Sequence, residues 1–555
     1  MLTALLLATG LSFSSPVHYE VTLAGNFGEP RPNHFHGGID VKTGGVEKKP
    51  IYSVADGYVS RVTTGLLGFG NAVYVTHPNG VTTVYCHLRS FSRQIQTLVD
   101  RYRHEHQCSF TTDARFSPLD CPVSEGQFLA LSGNTGASKA PHLHLEFHDT
   151  KTWAMLDPLK YLGQDVKDNT PPQAHGFMAY PQYGEGVFCG GSGKQTCGMS
   201  QSGKVYHYTA WGKVGFGLWA NDYSETTYNH LGVYSTRLLC DGNEVFSSRV
   251  NSIPAFSNRQ INIWGDYHHY LRSHVWYLKS FIEPGCRLDF LKTDNNKGII
   301  DFNEERDYEM EYILADTHGN EAHYKFIVEG RKTKLSVTNE RQPSDFIPCN
   351  TLWEFCRPGI QLVIPIGALG NNVKMNYRQL SPLHTSHSTL LTNQKLYTFS
   401  TLPCPLAVPA ELNIYVGKQR VSQPEKLYLR SNRTKWIAGR FHDGWLTGMI
   451  RELSDTYEVA YDDQAPRILP SGSPESWRAS GTIRFALSDG DSGLKSYKVF
   501  IDGRFIYFAP LEKSNVIECK LRQSAVARTG KSHNLKITVT DNCHNNATYS
   551  ARFIW

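Results

Sequence analysis

Residues 142–148 alternate strictly between polar and apolar side chains. Successive side chains of a β-strand point to opposite faces, so this pattern predicts a strand with one polar and one apolar face. The two faces would carry His142, His144, Glu146 and His148 on one side and Leu143, Leu145 and Phe147 on the other. Two neighbouring imidazoles on a rigid strand can serve one metal centre, one as a ligand and the other as a proton carrier.

Short strands joined by turns are predicted around this segment. Two hairpins are indicated by pairs of strand-like stretches that flank turn sequences, one joining residues 51–54 to 58–62 and the other joining 71–76 to 81–88. Residues 89–123 interrupt the pattern, begin with a helical stretch and are expected to be an insertion.

The chain of 555 residues is too long for one ordinary core. Aromatic and β-branched residues are abundant, Gly and Pro recur at short intervals and long helical patterns are scarce, so the predicted fold class is mainly β. The expected units are a signal peptide at 1–15, a metal-site domain at 16–163, a β-sandwich module at 164–331, a β-rich module at 332–463 for which the sequence names no fold, and an immunoglobulin-like β-sandwich module at 464–555.

The N-terminal residues and the cysteines bear on the compartment. Residues 2–11 are apolar and rich in small side chains, as in a signal peptide, and no later stretch has the ~20 apolar residues of a spanning helix. We therefore expect a periplasmic or secreted protein without a membrane span. In an oxidising compartment, three pairs among the 12 cysteines are candidates for disulfides that close small loops, namely Cys108/Cys121, Cys189/Cys197 and Cys349/Cys356.

A second motif of metal-ligand type is His36-Gly37-Gly38-Ile39-Asp40. Two glycines argue against a helix, so a turn must fold His36 back toward Asp40, and glycine allows the close backbone approach and unusual dihedrals that this needs. Catalytic zinc usually takes three protein ligands, and the histidine strand would supply the third. The pattern therefore predicts a zinc hydrolase.

The proton-transfer role falls to histidine, because the chain has no His-Glu-x-x-His motif to supply a glutamate base. The candidates are His87 and whichever of His142 and His144 is not a ligand. Isolated histidines are more often structural or exposed, and that interpretation is given to His34, His77, His104, His106, His148, His268 and His269. His34 is two residues from His36 in the sequence and is a candidate for a residue that contacts and orients the metal ligands without binding the metal itself.

In their order, these motifs resemble those of the lysostaphin/LytM-type zinc endopeptidases of bacterial cell walls. The stretches that carry the resemblance are 36–41, 55–59, 70–77, Tyr85-Cys86-His87-Leu88, Gly133-Asn134-Thr135-Gly136, 141–147 and Asp157-Pro158. The resemblance implies a LytM-like antiparallel β-sheet domain in which His36, Asp40 and His144 bind Zn²⁺. His87 and His142 would then flank the catalytic water as general base and as hydrogen-bond donors to the developing oxyanion.

Two features depart from the family pattern. Cys86 replaces a small or apolar residue before His87 and would place an oxidisable thiol near the site. The insertion at 89–123 is long, and we expect it to form a wall of the substrate groove or a lid over it.

The function expected from the resemblance is zinc-dependent endopeptidase hydrolysis of bacterial peptidoglycan, at a cross-bridge or stem peptide. One alternative is a non-catalytic envelope protein that binds wall peptide or activates a partner amidase, and another is a secreted protease of glycine-rich proteins. The formal charge of +5 does not indicate nucleic-acid binding. The C-terminal β modules are candidates for targeting, spacing or contacts with envelope proteins.

Overall fold

The computed structural model describes residues 13–199, 205–335, 346–381, 395–417 and 422–555. Residues 1–12, most of the predicted signal peptide, lie outside the described residues. Within these described ranges, no helix combines the length and the hydropathy needed to cross a membrane.

The first domain, residues 13–165, is built on a large antiparallel sheet with the spatial order β1-β4-β13-β8-β7-β6-β10 and a small sheet of order β5-β12-β9. Its strands are β1 (Leu23–Gly25), β2 (Pro30–Arg31), β3 (His34–Phe35), β4 (Gly38–Lys42), β5 (Pro50–Tyr52), β6 (Gly57–Thr64), β7 (Ala72–Thr76), β8 (Val81–Cys86), β9 (Ser90–Phe91), β10 (Thr112–Arg115), β11 (Pro122–Val123), β12 (Phe128–Leu131), β13 (His142–Asp149) and β14 (Met155–Leu156). Its helices are α1 (Arg93–His106), α2 (Leu159–Leu162) and the 3₁₀ turn Gly163–Asp165.

One of the two predicted hairpins is present. β7 and β8 pair around the turn at residues 77–80, as the sequence predicts. The prediction of a hairpin across residues 55–57 was wrong, because β5 pairs with β12 whereas β6 pairs with β7. The Asp56 carboxylate accepts the backbone N–H of Glu125 at 2.7 Å. This bond ties the turn at Asp56 to the segment between β11 and β12. At this turn the chain passes from the small sheet, which contains β5, to the large sheet, which contains β6.

The last residues of the predicted signal peptide belong to the core of the first domain. Phe13 is buried, with its ring centroid 5.1 Å from that of Phe147 and 5.2 Å from that of Tyr161. Ser14 donates its backbone N–H to the Val54 carbonyl. Residues 13–15 therefore pack as part of the first domain, and the signal peptide stays a prediction.

The insertion at 89–123 forms an interface and not a lid. The Arg103 guanidinium lies 4.3 Å from the ring centroid of Tyr507, and Phe110 packs edge-on against Tyr497 with the ring centroids 4.8 Å apart. Lys498 Nζ donates to Gln107 Oε1 at 2.9 Å. All residues of the insertion are described, and none lines the cavity that contains the predicted site. The expectation of a groove wall or lid was therefore wrong, because these side chains are engaged by the C-terminal module.

The second module has one continuous sheet with the core order β16-β15-β17-β26-β25-β19-β20-β23, in which β17 and β26 are parallel. Its strands are β15 (Gln173–Phe188), β16 (Gln195–Gly198), β17 (Tyr206–Ser224), β18 (Thr227–Leu231), β19 (Ser235–Cys240), β20 (Asn243–Arg249), β21 (Ser252–Ile253), β22 (Leu278–Lys279), β23 (Leu291–Thr293), β24 (Ile300–Phe302), β25 (Asp307–Ala315) and β26 (Glu321–Gly330). Its helices are the 3₁₀ turn Ala255–Gln260, α3 (Ile261–Trp264) and α4 (Tyr267–Ser273).

The third module contains a five-stranded and a four-stranded sheet with side chains in one shared core. Its strands are β27 (Phe346–Ile347), β28 (Trp353–Arg357), β29 (Ile360–Ile364), β30 (Val373–Lys374), β31 (Arg378–Leu380), β32 (Leu396–Thr398), β33 (Pro405–Tyr415), β34 (Leu427–Ser431), β35 (Gly439–His442), β36 (Trp445–Glu452) and β37 (Tyr457–Tyr461), with a 3₁₀ turn at Pro424–Lys426.

The fourth module is a sandwich of two four-stranded sheets around a core that includes Trp477, Phe485 and Val499. Its elements are β38 (Arg467–Ser471), α5 (Pro474–Ser480), β39 (Thr482–Ser488), β40 (Leu494–Ile501), β41 (Arg504–Phe505), β42 (Ala509–Pro510), β43 (Val516–Lys520), the 3₁₀ turn Leu521–Gln523, β44 (Ser532–Asp541) and β45 (Asn546–Ile554). The prediction of a mainly β protein with β modules after the first domain is confirmed.

All 12 cysteines are described, and none is bonded to another. The three disulfides suggested by sequence spacing are therefore not present. Cys121 is enclosed in the core of the first domain, whereas Cys108 lies outside it at the end of α1. Cys349 is likewise buried while Cys356 is exposed. Closeness in sequence did not place the thiols of these two pairs in a common environment.

Candidate active site

The register of the large sheet brings Asp40 beside the histidine strand. β4 and β13 are antiparallel neighbours in which Asp40 faces His144. A Cβ at Gly38 would lie 2.1 Å from the Leu145 carbonyl oxygen, and one at Gly37 would lie 2.5 Å from Glu146 Oε1. Neither glycine has a positive φ. Glycine is thus required at these two positions because β13 lies so close to them, as the sequence predicts. The expectation that Gly37 and Gly38 adopt left-handed backbone dihedrals was wrong.

Three of the predicted site residues form a compact cluster. His36 Nε2 lies 3.1 Å from Asp40 Oδ1 and 3.0 Å from His144 Nδ1, and His144 Nδ1 lies 2.8 Å from Asp40 Oδ1. All three residues are buried. One potential ligand atom from each lies within 4.8 Å of the others. The structure therefore brings together the three residues expected to bind the metal, while their role as ligands remains a prediction.

The hydrogen bonds behind the two imidazoles fix which nitrogen faces the cluster. His36 Nδ1 lies 2.6 Å from the Asn26 carbonyl oxygen, which only accepts, so this nitrogen carries the proton and Nε2 is left as a donor atom for a metal. His144 Nε2 donates to Glu146 Oε1 at 2.9 Å, which leaves Nδ1 for the same purpose. Two imidazole nitrogens and one carboxylate oxygen are a donor set that fits zinc.

The sequence interpretation missed two supporting residues, Glu146 and His148. The Glu146 carboxylate is buried and bridges two rings, because its Oε2 also accepts from His148 Nε2 at 2.7 Å. Burial alone would raise the pKa of Glu146, but hydrogen bonds from His144 and His148 hold it well below its usual range. His148, assigned a structural or exposed role from sequence, thus belongs to the support of the site. The alternation along β13 already placed both residues on the face of His144.

The charges around Asp40 favour its ionised form. Burial alone would raise the pKa of Asp40, but the surrounding histidines hold it well below its usual range. Arg31 Nη2 donates to Asp40 Oδ2 at 2.9 Å, so Oδ1 remains for the cluster. Burial lowers the pKa of His36 to about 4. Burial opposes protonation of His144 as well, but its bonds to Asp40 and Glu146 raise its pKa to about 9.

His87 and His142, the two predicted proton-transfer residues, lie together beside the cluster. Their ring centroids are 4.9 Å apart, and His142 Nε2 is 3.4 Å from Asp40 Oδ1. His87 Nδ1 donates to the Thr135 carbonyl and His142 Nδ1 to that of Ala140, each at 2.8 Å. Burial, with the charges of the neighbouring histidines, lowers the pKa of His87 to about 4. A neutral imidazole tied in this way keeps Nε2 available to accept a proton.

Comparison with known families agrees with this geometry. Residues 34–102 match the profile of Peptidase family M23. The first domain thus contains an M23-type segment, and we call it the M23 domain. Residues 344–462, in the third module, match the profile of a Zu5-like domain.

Similar proteins include an "Uncharacterized metalloprotease" of Haemophilus influenzae, 34% identical over 114 residues, which are 20% of this chain and 18% of that protein. The "DD-carboxypeptidase/endopeptidase Mpg" of Neisseria meningitidis is 31% identical over 112 residues, 20% of this chain and 19% of that protein. The chain thus spans less than a fifth of the length of these relatives.

Two solved structures have similar segments. The catalytic domain of lysostaphin from Staphylococcus simulans is 19% identical with a TM-score of 0.20, over 26% of this chain and 92% of that chain. A zinc containing peptidase from Vibrio cholerae is 26% identical with a TM-score of 0.19, over 24% of this chain and 36% of that chain.

Cys86 is a strand neighbour of His144 in the M23 domain and has no exposed surface. Burial, reinforced by the charges of Glu146 and Asp40, raises the pKa of its thiol well above the usual value. A thiol held in the neutral form and shielded from solvent is a poor nucleophile. Cys86 therefore lies near the site, as expected from its position in the sequence, but it packs as an apolar residue.

A cavity of about 1610 Å³ opens over the M23 site. All five predicted site residues line it, together with residues of the second module such as His175, Trp219 and His230. Pockets for small ligands usually measure about 300–1,000 Å³, so this space is larger than such pockets. His34 also lines the cavity, and its Nδ1 lies 3.0 Å from the Pro32 carbonyl oxygen. Its supporting role stays a prediction.

Proposed function

We propose that this protein is a zinc-dependent endopeptidase that hydrolyses peptide bonds of bacterial peptidoglycan. The observation that carries the proposal is the convergence of His36, Asp40 and His144, with His87 and His142 beside them, at one cavity of an M23-type domain. The relatives named as a metalloprotease and as a carboxypeptidase/endopeptidase support the reaction class.

The residues that would hold the metal are His36 through Nε2, Asp40 through Oδ1 and His144 through Nδ1. When bound, zinc would supply Lewis-acid polarisation of the scissile carbonyl and lower the pKa of a water molecule toward neutrality. Glu146 and the Asn26 carbonyl keep the two rings oriented through their outer nitrogens.

His87 and His142 would move the protons of the reaction. Each ring is anchored through Nδ1 to a backbone carbonyl, so Nε2 is the atom that accepts a proton from the attacking water. The ring that has taken the proton then donates from Nε2 to the developing oxyanion or to the leaving amine. Positioned general acid–base groups of this kind contribute about 10²–10⁴-fold to a rate.

A polymeric wall substrate agrees with the size of the cavity and requires a periplasmic or secreted location. A non-catalytic binding protein would have no need for two anchored histidines beside the metal cluster. Because both histidines line the cavity, we favour a catalytic function over the alternative of a non-catalytic protein that activates a partner amidase.

The test is mass spectrometry of muropeptides released from purified cell walls by the zinc-loaded protein. We expect release that a chelator abolishes and added Zn²⁺ restores, with His142→Ala as the inactive control. A pentaglycine-containing protein, assayed in parallel, distinguishes a protease of glycine-rich proteins. Failure of the zinc-loaded protein to release any muropeptide would overturn the peptidoglycan assignment.

A further inference from the structure

The loop that carries His36 is bonded to the second module at residue 26. Asn26 Nδ2 donates to the Gly232 carbonyl, and the Gly232 N–H donates back to Asn26 Oδ1, both at 2.7 Å. The side-chain amide thus pairs with both backbone polar groups of one residue, 206 positions away in the sequence. Asn26 is buried, so loss of this pairing would leave polar groups unsatisfied away from water.

The backbone of the same residue holds His36. The Asn26 carbonyl accepts from His36 Nδ1 at 2.6 Å, and this bond leaves Nε2 directed at Asp40 and His144. Residue 26 therefore contacts the second module through its side chain and the predicted metal ligand through its carbonyl.

The residue before His36 is also held by the second module. The Phe35 N–H donates to Asn258 Oδ1 at 2.7 Å. The Phe35 ring is fully buried in the core of the second module, with its centroid 6.1 Å from those of Trp264 and Phe290. Close to it, the Asn33 N–H donates to Asn262 Oδ1 at 3.1 Å.

The two domains are continuous at this junction. β14 of the M23 domain pairs with β21 of the second module. Leu231 of the second module lies in the core of the M23 domain, and a Cβ at Gly232 would come within 3.0 Å of Glu29 Cα. The second module is therefore packed against the His36 loop closely enough to set its position.

We propose that the second module positions His36 for metal binding and that Asn26 is the positioning residue that links them. The inference rests on the zinc site of the proposed function and assigns the second module a part in building that site, beyond targeting or spacing. Loss of the outer hydrogen bond of a metal ligand typically lowers metal affinity about 10–100-fold. We expect the same scale when the Asn26–Gly232 pairing is removed.

The experiment uses the full chain and measures zinc affinity by competition with a chromophoric chelator, together with the visible absorption of the Co²⁺-substituted protein. We expect Asn26→Ala and, independently, Asn258→Ala to raise the Kd for zinc about 10–100-fold and to alter the Co²⁺ spectrum. Asn26→Asp keeps the acceptor for the Gly232 N–H but not the donor for its carbonyl, so it should weaken binding as well.

The matched control is Thr227→Val, which removes the 2.6 Å bond from Lys42 Nζ to Thr227 Oγ1 across the same interface without touching the His36 loop. It should bind zinc like the wild type. Circular dichroism checks that each variant is folded. If Asn26→Ala does not fold, Asn258→Ala is used to test the inference in its place. Wild-type affinity and an unchanged Co²⁺ spectrum in the folded loop variants would overturn the inference and leave the zinc site standing. A wild-type chain that binds no zinc would instead overturn the proposed function.

Discussion

Two pairs of histidines face the same cavity and are held in different ways. The proposed ligand pair, His36 and His144, is almost fully buried, and His144 lies between two carboxylates. The proposed proton-transfer pair, His87 and His142, is anchored through Nδ1 to backbone carbonyls, while His142 Nε2 also lies 3.4 Å from Asp40 Oδ1 and the His142 side chain is 17% exposed. The Glu146 carboxylate orients the His144 ring and makes it a stronger ligand, whereas a backbone carbonyl, which also holds His36, orients a ring without adding charge.

The largest expected effect separates the two pairs directly. His144→Ala should lose both zinc and activity, because it removes one of three ligands. His142→Ala should retain one zinc per chain and lose about 10²–10⁴-fold in rate. Metal content by atomic spectroscopy and muropeptide release measure the two properties on the same samples. If the His142 variant released muropeptides at the wild-type rate, the proposed division of roles would be wrong.

A smaller effect is expected from Glu146, the carboxylate behind His144. Glu146→Gln keeps the size of the side chain but removes the charge that His144 and His148 share. Zinc affinity should fall about 10–100-fold, with the rate at saturating zinc little changed. Asp113→Asn, which alters a surface carboxylate paired with Arg61, is the matched control. Equal affinities for the two variants would show that Glu146 does not support the ligand.

The different pKa values within the ligand pair predict a pH dependence of zinc binding. Without metal at neutral pH, His144, with a pKa near 9, carries a proton that must leave, whereas His36, with a pKa near 4, does not. Affinity should therefore rise about tenfold per pH unit from about 5 to 9 and level off above. Calorimetry in buffers of different ionisation heat should show one proton released per zinc at pH 7. Binding without proton release would contradict the protonation assigned to His144.

Much of this site could be predicted because it depends on local pattern. The alternation of residues 142–148 placed His142, His144, Glu146 and His148 on one face, and the structure keeps them there. Strand pairing then brings Asp40 opposite His144. The resemblance to LytM-type peptidases supplied the choice of His144 over His142 as ligand, which the pattern alone left open.

What could not be predicted depends on contacts between distant segments. No local signal links Asn26 to Gly232, or Phe35 to Asn258, because each pair lies more than 200 residues apart. The insertion at 89–123 was misassigned for the same reason, since its partners lie in the fourth module. The failed hairpin at residues 51–62 shows the converse, because a correct turn signal does not determine which strand each arm pairs with.

The smallest effect concerns Cys86, which adjoins both pairs through His144 across the sheet and His87 along the chain. Because the thiol is buried and neutral, Cys86→Ala should keep zinc affinity and rate within about twofold and lower the free energy of unfolding by about 1 kcal/mol, the scale of one buried methylene. The native protein should also leave this thiol unreacted with Ellman's reagent, while Cys189 and Cys356 react as exposed thiols. Denaturant titration and peptide mapping of the labelled protein measure these outcomes. Rapid labelling of Cys86, or loss of zinc on its replacement, would mean that the thiol takes part in the site and that the separation of the two histidine pairs is incomplete.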